Sequence, residues 1–262
     1  GWIYNSVQAN TLAASLQIFN FDVAYTGVVV AVLVGLIIFG GISRVAKASE
    51  IIVPIMAVLY IATALFVVIM NITQFPHVIY TIISSAFEPV AAGGGLLGAT
   101  VMNGIKRGLF SNEAGEGSVP NAAATAAVNH PVEQGLVQAF GVFLDTFIIC
   151  TASAFIVLMV GDYSTTGLTG VALVQHNLEQ QLGSWAPTAV AIFIVMFSFS
   201  SLIGNYYYGE INISHLTEKK FYLHLFRIGV IIMTFVGSIA SLDLVWNLAD
   251  LFMAFLVLTN IS

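Results

Sequence analysis

The chain has 262 residues, 58% of them hydrophobic and 8% charged, where a soluble domain carries about 25% charged residues. No water-soluble core absorbs that much apolar surface, and 7 basic against 13 acidic residues exclude a nucleic-acid surface. The single cysteine, Cys150, lies in an apolar run, so the chain builds neither a disulfide framework nor a thiolate metal cluster.

Apolar stretches near the length of about 20 residues needed to span a bilayer occur at 23–41, 51–70, 136–160, 186–208, 223–241 and 243–260. Residues 1–20 read as a further span whose beginning is cut off, and 90–128 is a long apolar stretch crowded with glycine and interrupted by polar residues. The fold class is therefore an all-α membrane protein with about eight membrane segments, one of them broken. The chain starts at Gly1 and stops at Ser262 inside an apparent last helix, which reads as an internal fragment of one transmembrane domain.

Arg44 and Lys47 fall between the second and third spans, and Lys219, Lys220 and Arg227 between the sixth and seventh, so both basic loops land on one side. The loops 71–90 and 161–185 have no Lys or Arg, although they carry Glu88, Asp162 and Glu179. By the positive-inside rule, loops 42–50 and 209–222 are expected in the cytoplasm of a cell-membrane protein. Helix-like pieces at His77–Phe87 and Val171–Leu182 are either outer lids or plain connections.

The segment from Gly93 to Ala127 is broken in its middle by SNEAGEGS, with Gly115, Gly117 and Pro120 as breakers. Inside a bilayer an interrupted backbone survives only where protein or a water-filled cavity satisfies the freed N–H and C=O groups. Half-helix ends expose amides that attract a carboxylate and carbonyls that attract a cation, an arrangement transporters use to bind a solute and its driving ion.

The run GLFSNEAGEGSVPNAAATAA, followed by NHPVEQGLVQAFGVFLDTFIICTASA, is very similar to the signature of the alanine or glycine:cation symporter family. The likeness extends to VQANT at 7–11, FSFSSLIGNYYYGE and LVWNLAD, and so covers essentially the whole chain. The resemblance implies a leucine-transporter-like fold of two inverted five-helix repeats. Residues 1–70 would then end the first repeat and 90–262 form the second, with the first two helices lying outside this sequence. It further implies sodium-coupled symport of a small neutral amino acid of the alanine and glycine class.

Carried over residue by residue, the resemblance places the side-chain amide of Gln8 against the bound amino acid, with Asn5 and Leu12 a helical turn to either side. Gly115, Glu116 and Gly117 line the family's pocket at the break; Glu116 either touches substrate or reaches a water-filled vestibule. On the sixth span the Phe197 carbonyl and the hydroxyls of Ser200 and Ser201 share one helical face. These are hard oxygens that suit sodium, although paired serines in a membrane helix also serve as interhelical glue. The resemblance assigns them to the sodium site and Ser201 also to the substrate.

Two positions depart from the family pattern. Glu116 stands where many relatives have an apolar residue, and Asn205 where many have a tryptophan. Both favour a longer neutral side chain such as glutamine or asparagine over alanine, unless Asn205 is covered by Tyr206. Asp145, Asp250, Lys106 and Arg107 each need a partner within the bilayer, with Asp250 or Asp243 as candidates for the basic pair. The rival readings are a sodium-independent channel, a structural membrane protein and, less in keeping with the residue positions, an intramembrane enzyme. The last lacks GxSxG and HExxH motifs.

Overall fold

Eight residues of the first helix, α1 (Trp2–Leu16), are buried, among them Asn5, Ser6, Ala9, Asn10, Ala13 and Ser15. Small and polar residues at a helix contact let backbones approach closely in a membrane protein, and α1 accordingly packs between other helices rather than against lipid. The computed structural model describes residues 1–40, 42–86, 96–113, 115–159 and 166–261. Among the described residues the chain is helical with no strand. Glu88, Asp162 and the beginning of the Gly93–Ala127 segment lie outside them.

A short 3-10 turn at Gln17–Phe19 leads to α2 (Val23–Ile38), whose start is capped by Asp22 accepting from the amides of Ala24 and Tyr25. Then come α3 (Ile42–Met70) and α4 (Phe75–Ala86). The interrupted segment forms α5 (Leu96–Asn112) and the short α6 (Val119–Ala123). Next, α7 (Pro131–Leu144), a π turn at Asp145–Cys150 and α8 (Thr151–Leu158) run on as one rod. The remaining helices are α9 (Gly170–Leu182), α10 (Ala186–Leu216), α11 (Lys220–Ile239) and α12 (Leu242–Ile261).

Among the described residues five stretches are long and apolar enough to cross a membrane: Glu50–Met70, Pro131–Leu158, Ala186–Leu216, Lys220–Ile239 and Leu242–Asn260. Val23–Ile38 and Phe75–Ser84 are shorter apolar helices. The segments 42–50 and 209–222, expected as loops, are mostly helical, because α3 starts at Ile42 and α10 continues to Leu216. Arg227, read above as a loop residue, lies inside α11 and is 8% exposed.

α1 is the central post, packed chiefly on α10 and α11 and also on α2 and α12. Its crossing with α11 is backbone to backbone at Gly237, where an added Cβ would overlap Ser6. The Ser6 hydroxyl donates to the Met233 carbonyl at 3.1 Å, and Asn10 Nδ2 donates to the carbonyls of Gly237 and Ala240 at 3.0 and 2.7 Å. One apolar core joins Leu12, Val34, Ile38, Leu202, Tyr206 and Val230; a second joins Val67 of α3, Ile156 of α8, Leu178 of α9 and Val190 of α10. α9 is held by its amides: Gln175 Nε2 donates to the Ser15 carbonyl at 2.9 Å and Asn177 Nδ2 to the Val157 carbonyl at 3.0 Å, while Gln181 accepts from Asn71 at 2.9 Å.

Candidate functional site

The break begins where Asn112 ends α5. Glu113 takes φ 52°, a left-handed conformation costly for a residue with a side chain, and Gly115 and Gly117 follow at φ 77° and 93°. Glycine is needed at 117 on two counts, since a Cβ there would also stand 3.0 Å from Asn260 Cβ on α12. The freed carbonyls do not stay open. Asn260 Nδ2 donates to the Gly115 carbonyl at 3.1 Å, and Asn121 Nδ2 donates to the carbonyls of Gly117 and Ser118, each at 3.1 Å.

Turning the chain here places Glu113 and Glu116 on the wall of a cavity of about 440 Å³. α1 contributes Tyr4 and Gln8 to it, α3 Val53, α5 Phe110 and Ser111, and α10 Ser200, Ser201, Gly204, Asn205 and Tyr208. Five of the residues singled out from the sequence therefore share one cavity: Gln8, Glu116, Ser200, Ser201 and Asn205. Five do not line it. Leu12 is buried in the apolar core with Val30 and Val34, and Asn5 is fully buried with neither amide atom hydrogen-bonded. Gly115 and Gly117 have carbonyls already paired with amides, as described above. The Phe197 carbonyl, also outside the lining, accepts from Ser200 Oγ at 2.9 Å, so carbonyl and hydroxyl lie side by side as the sequence spacing suggested.

Tyr4 was not among the sequence candidates. Its hydroxyl donates to Glu116 Oε1, and its ring meets Phe110 edge-on at 5.4 Å. The signal was present, because Tyr4 precedes Gln8 by four positions and so shares its helical face. Glu113 Oε2 accepts from Ser118 Oγ at 2.9 Å. Asn205 is not covered by Tyr206, which points to the opposite side of α10 and into the core.

Near the cavity, Lys106 and Arg107 pair with Asp250, and Asp145 is hydrogen-bonded. Lys106 Nζ and Arg107 Nη2 lie 3.5 and 3.1 Å from Asp250 Oδ2, and the Arg107 guanidinium sits 4.1 Å from the Trp246 ring centroid. Asp145 accepts from Ser111 Oγ at 2.7 Å, and Thr146 Oγ1 donates to Asn112 Oδ1 at 2.9 Å, so the π turn holds the last two residues of α5. Single π turns inside α-helices are frequent at functional sites.

A cavity lined by neutral oxygens, two amides and two carboxylates, at the elbow of a broken helix, is the type of site that takes a small zwitterion with a cation. The model of the sodium:alanine symporter family matches residues 1–262. The chain belongs to that family. It is 50% identical over its full length to the probable sodium/glutamine symporter GlnT of Bacillus subtilis, covering 55% of that protein. Identity to the amino-acid carrier protein AlsT of the same organism is also 50%, across all of this chain and 56% of the relative. The sodium/alanine symporter AgcS of Methanococcus maripaludis is 42% identical over 95% of the chain and 55% of its own length. The chain thus spans about half the length of the curated relatives it matches. With its apolar helices, membership makes it an integral membrane protein of a transporter family, not an enzyme.

Proposed function

We propose that this protein carries out sodium-coupled symport of a small neutral amino acid and that the cavity between α1, the break and α10 is the substrate site. The observation that carries the reading is the convergence of Gln8, Glu116, Ser200, Ser201 and Asn205, drawn from three separate segments, on one cavity. In this reading Gln8 and Asn205 hydrogen-bond the amino acid, and Ser200, Ser201 and the Phe197 carbonyl form part of the sodium site. Phe197 and Ser200 need only a rotation of the Ser200 hydroxyl to turn both oxygens to an ion. Buried Asn5, with both amide atoms unpaired, remains a substrate-site residue if the occupied cavity extends one turn along α1.

The side-chain chemistry favours glutamine or asparagine within the neutral class. The carboxamide of such a substrate donates to Glu116 and pairs with Asn205, whereas the methyl of alanine leaves both groups unmatched. Relatives bearing glutamine and alanine in their names are both similar to this chain.

For the fold, a leucine-transporter-like inverted repeat with 1–70 ending one repeat and 90–262 forming the other accommodates the broken helix and about eight membrane segments. The basic ends at 42–50 and 209–222 then face the cytoplasm of the cell membrane. Labelling a cysteine placed at Lys47 or Lys219 with an impermeant thiol reagent from outside intact cells would reverse that orientation.

The test of the function is uptake by the full-length protein in proteoliposomes. Symport predicts exchange of labelled amino acid and accumulation only with an inward sodium gradient. Flux without saturation or without sodium dependence would indicate a channel instead, and no flux at all a structural protein.

A further inference from the structure

α10 presents opposite faces to two environments. Ser200, Ser201, Gly204, Asn205 and Tyr208 line the cavity, whereas Tyr206 and Glu210, one turn apart, enter the seam with α11. At about 100° per residue, these two stripes lie on opposite sides of the helix and overlap along its axis between Tyr206 and Tyr208. Arg227 of α11 joins both members of the second stripe, its Nε donating to the Tyr206 hydroxyl at 2.8 Å and its Nη2 to Glu210 Oε1 at 2.9 Å.

The group is deep in the protein, with Tyr206, Glu210 and Arg227 exposed by 0%, 4% and 8%. The Arg227 guanidinium stands 5.5 Å from the ring of Phe39 and the Tyr206 hydroxyl reaches the Ile38 carbonyl at 3.5 Å, so the end of α2 closes the site. Between the two anchors, Gly209 lets the Phe226 ring lie directly against the backbone of α10; a Cβ at 209 would overlap it.

We propose that Arg227, Tyr206 and Glu210 are positioning residues for transport: their fork sets the rotation of α10 about its axis and thereby aims Ser200, Ser201 and Asn205 into the cavity. The roles of those three cavity residues rest on the function proposed above. One contact would leave the helix free to roll or slip; two contacts a turn apart, made by one rigid planar guanidinium, oppose both movements. Stability alone is a poor account of the group. A buried ion pair is costly to desolvate, an apolar pair of similar volume often packs at least as well, and Glu210 Oε2 has no hydrogen-bond partner.

Arg227→Lys keeps the charge and loses the fork, Tyr206→Phe removes one prong, and the double variant Glu210→Met with Arg227→Met tests an apolar seam. In the full-length protein, positioning predicts that each raises the half-saturating sodium and amino-acid concentrations about fivefold or more, with a smaller change in maximal rate. Membrane abundance and melting temperature of the double variant stay near wild type.

A transport-independent readout accompanies these measurements. A cysteine at position 205, in a Cys150→Ala background, should react with a water-soluble thiol reagent several-fold more slowly when Arg227→Lys is added. Slower labelling without sodium-dependent uptake by the wild type would uphold the positioning role and sink the proposed function. Unchanged half-saturation and unchanged labelling in Arg227→Lys and Tyr206→Phe would overturn the positioning role, whether or not the double variant folds.

Discussion

The hydroxyl of Tyr4 on α1 donates to the carboxylate of Glu116, in the middle of the helix break. Both residues line the cavity, so the contact ties the central post to the interrupted segment where a solute would sit.

Tyr4→Phe keeps the edge contact with Phe110 and removes only that tie. Hydrogen bonds to charged groups contribute about 1.5–3 kcal/mol, so the half-saturating amino-acid concentration is expected to rise about tenfold. Uptake kinetics of the full-length variant check this, and an unaltered concentration would show that Glu116 needs no anchor.

Ser200 and Ser201 both face the cavity, and Ser200 already lies beside the Phe197 carbonyl. Ser201→Ala, and separately Ser200→Ala, should raise the sodium concentration for half-maximal uptake. Substrate binding should weaken in parallel, because the two binding equilibria are linked reciprocally. Sodium titration of uptake decides, and an unchanged sodium dependence in both variants removes the ligand assignment.

Asn205 opens onto the cavity from α10 and is 8% exposed. Replacing it with tryptophan fills space beside the substrate and removes an amide, so preference should move from glutamine towards alanine. Competition between labelled glutamine and labelled alanine measures the shift. A wild type that prefers alanine, or a variant with no shift, would contradict the assignment of Asn205 to specificity.

At the crossing of α1 and α11, a Cβ on Gly237 would overlap the Ser6 backbone, which cannot swing aside as a side-chain end does. Gly237→Ala is therefore expected to destabilise the protein by about 3 kcal/mol. The sign of it would be reduced membrane abundance and a lower melting temperature. Gly104→Ala is the control, since its Cβ would meet nothing within 4 Å.

Hydropathy located the five helices long enough to span among the described residues, with Val23–Ile38 shorter than expected, and breaker residues located the elbow, because lipid punishes misplaced polarity and backbone interruption in ways written directly into composition. Side-chain period on α10 likewise brought Ser200, Ser201 and Asn205 to one face, and the cavity holds them together with Gln8 and Glu116. What escaped was pairing across the fold. Arg227 looked like a loop residue because a lone charge belongs in water; its partner Glu210 lies on another helix and beyond the most apolar part of the span. The roof over the break was equally hidden, since Asn260 meets Gly115 from 145 positions away. Leu12 shares the spacing of Gln8 but is turned into the core, and periodicity alone does not tell which neighbour a helical face meets.

The π turn at Asp145–Cys150 makes the rod from α7 to α8 sensitive to its length more than to its composition. Its wider turn offsets the following residues, and one residue corresponds to about 100° of helical rotation. Asp145 and Thr146 thereby meet α5, while Ala152 and Ile156 meet the core formed with α3, α9 and α10. Exchanging the exposed Phe147 for another apolar residue leaves both contacts in phase. Deleting a single residue between 145 and 150 would keep one contact and turn the other out towards lipid.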